Sequence, residues 1–255
     1  MANLQRYFIE LAYDGTHYHG WQVQPNAVTV QQALDKALST VLRTPIETVG
    51  CGRTDTGVHA KEFFAHFDLE AIADSPLSVD NAVRSINAVL GPDIAIKNIF
   101  TVDAEMHARF SAMLRSYQYH IHFCKDPFRH NYSWLLRDEP DLELMNEAAK
   151  IIMEYTDFSC FSKSNTQVKT NNCKISRAEW VKVDGGFVFY ISADRFLRNM
   201  VRAIVGTLLM VGRKEITPED IRGIITSKNR SNAGASVPAC GLYLTEVKYP
   251  MTGGE

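Results

Sequence analysis

The stretch Thr29-Val30-Gln31-Gln32-Ala33-Leu34-Asp35-Lys36-Ala37-Leu38-Ser39-Thr40-Val41-Leu42 is the clearest helical signal in the first half of the chain. Thr29 followed three residues later by Gln32 has the form of a capping box. Val30, Ala33, Leu34, Ala37, Leu38, Val41 and Leu42 then recur at three and four, which predicts an amphipathic helix. Upstream, Tyr7, Ile9, Leu11 and Tyr13 alternate with Arg6, Phe8, Glu10 and Ala12, a period of two that fits a strand with at least one buried face, ending at Asp14-Gly15. Downstream, Ile46 to Cys51 reads as a second strand and Phe63, Ala65, Phe67 and Leu69 as a third. Ser78 to Leu90 reads as a helix closed by Gly91-Pro92-Asp93, and Ile94 to Val102 as a fourth strand. The element order is βαββαβ.

The second half repeats this order without repeating the sequence. Arg115, Tyr117, Tyr119, Ile121 and Phe123 mark a strand, and Leu142, Met145, Ala148, Ala149 and Ile152 a helix. Two strands follow around Asp184-Gly185-Gly186, a hairpin signature. Helices are predicted over Phe196 to Val211 and over Pro218 to Thr226, the latter with Thr217 as N-cap and Pro218 at the first helical position. A last strand runs from Leu242 to Val247. The fold class expected is α+β, two ferredoxin-like or RRM-like split βαβ domains with antiparallel sheets, joined near Phe100 to Phe110 as domains 1–104 and 105–255.

Composition narrows the class. With 255 residues, 45% hydrophobic and 22% charged, the chain is neither collagen-like nor low-complexity, and it is long enough for two cores. Five cysteines, with no C-x-x-C pair, suggest neither a disulfide framework nor a zinc knuckle and read as reduced thiols of a cytosolic protein. The N-terminus enters a strand pattern at once, leaving no room for a signal sequence, and the apolar run Val201 to Val211 is about half of the ~20 residues a membrane span needs. The net charge of −2 hides a segregation: Arg195 to Lys214 carries +5, Lys163 to Lys182 +4 and Asp138 to Glu147 −5. The basic stretches are expected to face a polyanion and the acidic stretch to face away from it.

Chemistry concentrates in Cys51-Gly52-Arg53-Thr54-Asp55-Thr56-Gly57-Val58-His59-Ala60, a polar turn between two apolar strands that displays one acid between an arginine and a histidine. An isolated Asp-Thr-Gly is most simply an Asx-type turn. Here Arg53 stands beside the acid, and another strand offers Tyr117 beside Arg115. Gly15, Gly52 and Gly57 read as backbone requirements, and His59 as a structural support behind the turn.

The segment Gly52 to Ala60 resembles the G-R-T-D-A-G-V-H-A signature of the TruA family of tRNA pseudouridine synthases. The resemblance extends to Tyr13-Asp14-Gly15, Gly20-Trp21-Gln22, His107-Ala108-Arg109-Phe110-Ser111-Ala112 and Arg115-Ser116-Tyr117-Gln118-Tyr119. It continues through Phe196-Leu197-Arg198-Asn199-Met200-Val201-Arg202, Ile204-Val205-Gly206 and Gly241-Leu242-Tyr243-Leu244, in the family's order. Thr56 departs from the usual alanine, and Ser116 and Gln118 stand where basic side chains are commoner.

The resemblance implies conversion of uridine to pseudouridine at positions 38, 39 and 40 of the tRNA anticodon stem-loop, without cofactor or metal, by a homodimer whose basic faces hold the RNA. It implies that Asp55 is the ionised catalytic carboxylate, either attacking C1′ or abstracting a sugar proton. It implies that Arg202 pairs with that acid and that Tyr117 packs on the flipped base, in a cleft between the two domains. Arg53, Arg198 and Leu242 are implied as further substrate contacts. An aspartic protease would need two such carboxylates, and one D-T-G is present. An RNA-binding module is faintly suggested by Gly186-Phe187-Val188-Phe189-Tyr190, which lacks the central small residue of an RNP1 motif.

Overall fold

The computed structural model describes residues 4–70, 79–162 and 170–250. It divides into two compact units, Met1–Met113 with Leu244–Glu255, and Leu114–Tyr243. The first contains β1 (Leu4–Tyr13), α1 (Val30–Leu42), β2 (Val49–Gly50), β3 (His59–Glu70), α2 (Val79–Val89) and β4 (Ile94–Val102). Its strands run β4-β1-β3 with β2 on the outer side of β3, every pair antiparallel, which is the split βαβ arrangement. Ser78 of the expected second helix lies outside the described residues.

Thr29 caps α1 by accepting from the Gln32 N–H at 3.3 Å. Leu34 and Leu38 of α1 are buried, as are Leu11 and Phe63 of the sheet. Tyr7, Phe8 and Ile9 are buried in succession, so both faces of β1 are covered, within the expectation of at least one buried face.

The expected strand from Ile46 to Cys51 shrinks to Val49–Gly50. Side chains of α1 take the backbone groups that a longer ladder would use. Ser39 Oγ accepts from Ile46 N at 2.9 Å, Asp35 Oδ1 from Thr48 N at 3.0 Å, and Gln31 Nε2 donates to Thr48 O at 2.6 Å. A peptide group satisfied by a side chain has no need of a neighbouring strand.

The second unit contains β5 (Leu114–His122), β6 (Trp134–Leu135), α3 (Leu142–Ile152), β7 (Ile175–Val183), β8 (Gly186–Ala193), α4 (Met200–Gly212) and α5 (Asp220–Thr226). A final strand, β9 (Leu242–Lys248), begins in this unit and continues into the first. β8 lies between β5 and β7, antiparallel to both, and Gly185 turns the hairpin at φ +65°. β6 pairs parallel with β5 and has no counterpart among the expected elements.

Two helix starts differ from expectation. α4 begins at Met200 rather than Phe196, because Asn199 sits in the left-handed region at φ 65° and interrupts helical geometry before it. α5 begins at Asp220, and the cap is inverted: Asp220 Oδ2 accepts from both the N–H and the hydroxyl of Thr217 at 2.8 Å. The basic and acidic stretches also touch. Lys214 Nζ lies 3.3 Å from Asp141 and Lys182 Nζ 3.6 Å from Glu139, so these two lysines are partly neutralised by the acids expected to face elsewhere. Lys163 and Lys169 lie outside the described residues.

Candidate active site

In the first unit, the Asp55 turn is held by the loop that follows β1. Trp21 N donates to Thr54 O at 3.3 Å, Gly57 N to Tyr18 O at 3.3 Å, and the Tyr13 hydroxyl meets Thr54 Oγ1 at 2.9 Å. Within the turn, Val58 N donates to Asp55 O at 3.2 Å and Gly57 takes φ +76°. The approach is so close that a Cβ on Gly15 would collide with the Val58 carbonyl and one on Gly20 with that of Thr54. This gives a physical reason for Tyr13-Asp14-Gly15 and Gly20-Trp21: they clamp the acid-bearing turn by backbone contacts that only glycine permits. Asp55 is half-buried, while Arg53 and Thr56 are exposed.

The clamp is itself anchored. Asp14 N donates to Asp93 O at 2.9 Å, and burial, with a hydrogen bond to Asp93, pushes the Tyr18 phenol up to about 12. His59 is buried behind the turn, with Nδ1 3.2 Å from Gly15 N and 3.0 Å from Asp14 Oδ1. It accepts from the first or donates to the second according to tautomer, a structural support in either case.

Gln31, Asp35 and Thr48 form a polar network that periodicity does not reveal, since Gln31 lies on the buried side of α1. Gln31 Oε1 accepts from Gln22 Nε2 at 2.9 Å and Val23 N at 3.0 Å, extending the network to the clamp. Burial raises the Asp35 carboxyl to about 6 despite its bonds from Thr48. The signal available in sequence is a Gln and an Asp four residues apart inside an otherwise amphipathic helix.

In the second unit, the expected residues stand on regular elements. Tyr117, on β5 opposite Ile191, is half-buried and meets Phe196 edge-on at 5.1 Å and 89°. Arg202, in the first turn of α4, is half-buried between buried Val201 and Ala203, and its Nε donates to Val237 O at 2.7 Å. Val237 N returns a bond to Arg202 O at 3.3 Å. The 234–238 segment can cross α4 this closely because Gly206 meets Gly234 and Ala235: a Cβ on Gly206 would collide with the Ala235 carbonyl. Pro238 O also accepts from the buried Tyr119 hydroxyl at 2.8 Å, linking α4 to β5. Arg198 is exposed before α4, and Leu242 is buried at the start of β9.

None of the five cysteines, all among the described residues, forms a disulfide; burial pushes Cys160 and Cys173 up to about 12, which makes them unreactive. Among the described residues no group of three or more His, Cys, Asp or Glu is disposed to hold a metal ion, and no helix is long and apolar enough to cross a membrane.

One split βαβ unit thus displays a carboxylate on a glycine-clamped turn, and the second presents an arginine and a tyrosine. The family model described as tRNA pseudouridine synthase matches residues 155–250. Proteins called tRNA pseudouridine synthase A match nearly end to end. That of Bacteroides fragilis is 51% identical over 250 residues, 98% of each chain. That of Parabacteroides distasonis is 49% identical over 97% of each, and that of Clostridium acetobutylicum 38% identical over 94% of this chain and 98% of its own. The chain belongs to the tRNA pseudouridine synthase A family.

Proposed function

We propose that this chain is an isomerase that converts uridine to pseudouridine at positions 38, 39 and 40 of the tRNA anticodon stem-loop, with Asp55 as the reacting carboxylate. The observation that carries this reading is the intact Gly52-to-Ala60 turn, its acid half-buried and its backbone clamped, in a chain similar to tRNA pseudouridine synthases over almost its whole length. The reaction breaks the bond between N1 of uracil and C1′ of ribose, turns the base and forms a bond from C5 to C1′. No net oxidation or group loss occurs, so no cofactor or metal is called for. Asp55 serves either by attacking C1′ or by removing a sugar proton.

Arg202 in this reading orients the acid. Its Nε bond to Val237 O fixes the guanidinium plane, and a carboxylate would be met by the terminal nitrogens. Tyr117, its ring steadied by Phe196, stacks on the uracil and offsets part of the cost of flipping the nucleotide out. Arg53 and Arg198, both exposed, contact the RNA, and Leu242 contributes to the apolar surroundings of the base. The first domain bears Asp55 and the second Tyr117 and Arg202. The protein works in the cytosol as a homodimer on tRNA.

The test is to treat unmodified tRNA with purified protein and map pseudouridine by carbodiimide adduct and primer extension. Stops are expected at 38, 39 or 40, wherever the tRNA carries uridine there. Their absence with wild-type protein would overturn the activity, and modification elsewhere would overturn the positions.

A further inference from the structure

Beside the Asp55 turn, wholly within the first unit, lies a small hollow of about 140 Å³ lined by Trp21, Gln22, Thr48, Gly52, Arg53 and Arg109 among others, none of them acidic. It is well below the ~300–1,000 Å³ of a typical small-molecule site, so it admits a group such as a phosphate rather than a nucleoside. Two guanidinium groups with no carboxylate in the lining favour an anion.

Arg109 is presented with unusual care for an exposed side chain. The turn carrying it is closed by Ser111 N donating to His107 O at 2.9 Å and His107 N to Ser111 Oγ at 3.0 Å. His107 Nδ1 accepts from Arg109 N at 3.1 Å and Phe110 N at 3.3 Å. Buried His66 on β3 accepts from Ala108 N at 3.1 Å, and the Tyr249 hydroxyl donates to Ala108 O at 2.6 Å. Phe110, 77% exposed on the same turn, adds an aromatic face beside the arginine.

Gly52 supplies an independent observation. It was expected to be a backbone requirement like Gly15 and Gly57, and the structure corrects this. Its φ is not among the positive values, and a Cβ built on it meets nothing within 4 Å. The fold therefore does not require glycine there, whereas a ligand backbone passing close over position 52 would.

We propose that Gly52, Arg53 and Arg109 form a subsite for one phosphodiester of the RNA backbone next to the reacting uridine, with the His107 turn as the device that positions Arg109. This inference rests on the tRNA reading above, and it adds a fixed anchor that holds the strand while the nucleotide turns out. Phosphate contacts set register without reading sequence, so such an anchor suits a substrate set of tRNAs that differ in sequence.

The experiment measures dissociation constants of anticodon stem-loop RNAs carrying single neutral methylphosphonate linkages, for wild-type protein and for Arg53→Gln, Arg109→Gln and Gly52→Leu. One linkage within a nucleotide or two of the target is expected to weaken wild-type binding about tenfold, and to have no further effect in either arginine variant. Gly52→Leu is expected to weaken binding similarly with an unchanged melting temperature, with Gly52→Ala as a smaller probe. Neutral linkages that cost the same in wild type and both arginine variants would overturn the subsite, as would wild-type affinity in Gly52→Leu. Pseudouridine formation by wild-type protein on the unsubstituted RNA is scored separately, so failure of the proposed activity and failure of the subsite are distinct results.

Discussion

The two units present their candidate residues by different physical means. In the first, Asp55 sits on an irregular turn whose shape is set by main-chain hydrogen bonds and by contacts too close for any Cβ at Gly15 or Gly20. In the second, Tyr117 and Arg202 stand on a strand and a helix, and a few specific contacts aim them, chiefly Phe196 against the tyrosine and Val237 O on the arginine. A turn defined by its backbone holds an acid in place without covering it, but one added methyl group deforms it. Regular elements tolerate more change, and there the orientation of individual side chains becomes the sensitive variable.

The largest effect follows from removing the acid itself. Asp55→Ala or Asp55→Asn is expected to abolish isomerisation while leaving tRNA affinity within roughly tenfold, since phosphate contacts supply most of the binding. Substantial turnover by purified Asp55→Ala would remove the assignment. Next come the glycines that support each site. Gly15→Ala forces the Val58 carbonyl aside and with it the turn, and about a hundredfold loss of rate is expected, with tRNA binding largely retained. Gly206→Ala pushes on Ala235 and the segment that orients Arg202, and the loss there should be smaller and accompanied by a lower melting temperature. Equal losses would mean that the two sites are built alike.

Arg202→Lys keeps a charge but loses the Nε bond to Val237 O and the planar fork, so a fall in single-turnover rate of about tenfold or more is expected with the fold intact. Tyr117→Phe retains the ring that packs on Phe196 and should keep more activity than Tyr117→Ala. If both are equally impaired, the hydroxyl has a duty of its own.

The smallest effect concerns the stability of the first unit. Burial, reinforced by Arg6, depresses His66 to about 4, so between about pH 4 and 6.5 the unfolded chain binds the extra proton and this residue's contribution is lost as pH falls. Asp35 has the opposite sign: burial raises it to about 6, the folded state binds the extra proton, and its contribution is lost as pH rises from about 4 to 6. The two oppose each other in the wild type. Urea unfolding at pH 4.5 and 6.5 should show, relative to wild type, His66→Asn gaining stability toward acid and Asp35→Asn losing it, each by at most about 1.4 kcal/mol per pH unit. Parallel pH profiles for the two variants would contradict this opposition.

Most strands and helices were legible because their apolar residues repeat at two or at three to four, and burial of one face enforces that repeat locally. The hairpin at Gly185 and the Thr29 cap were legible for the same reason, since a turn or a cap is complete within a few residues. The Asp55 turn was conspicuous as a polar, glycine-bracketed interruption between apolar strands. What periodicity could not reveal were features made by residues distant in the chain. β2 is short because Gln31, Asp35 and Ser39 of α1 take its backbone groups, and α4 starts late because Asn199 adopts a left-handed conformation.

The sequence by itself determined the two βαβ patterns, the single displayed acid and the family, because each depends on the order and type of neighbouring residues. Only the tertiary structure decided what each glycine is for. Gly15, Gly20 and Gly206 are required by backbone crossing at close range, whereas Gly52 faces open space beside Arg53 and Arg109. In the chain these glycines look alike. The collision that makes a Cβ intolerable comes from Val58, Thr54 or Ala235, and that proximity exists only once the chain has folded.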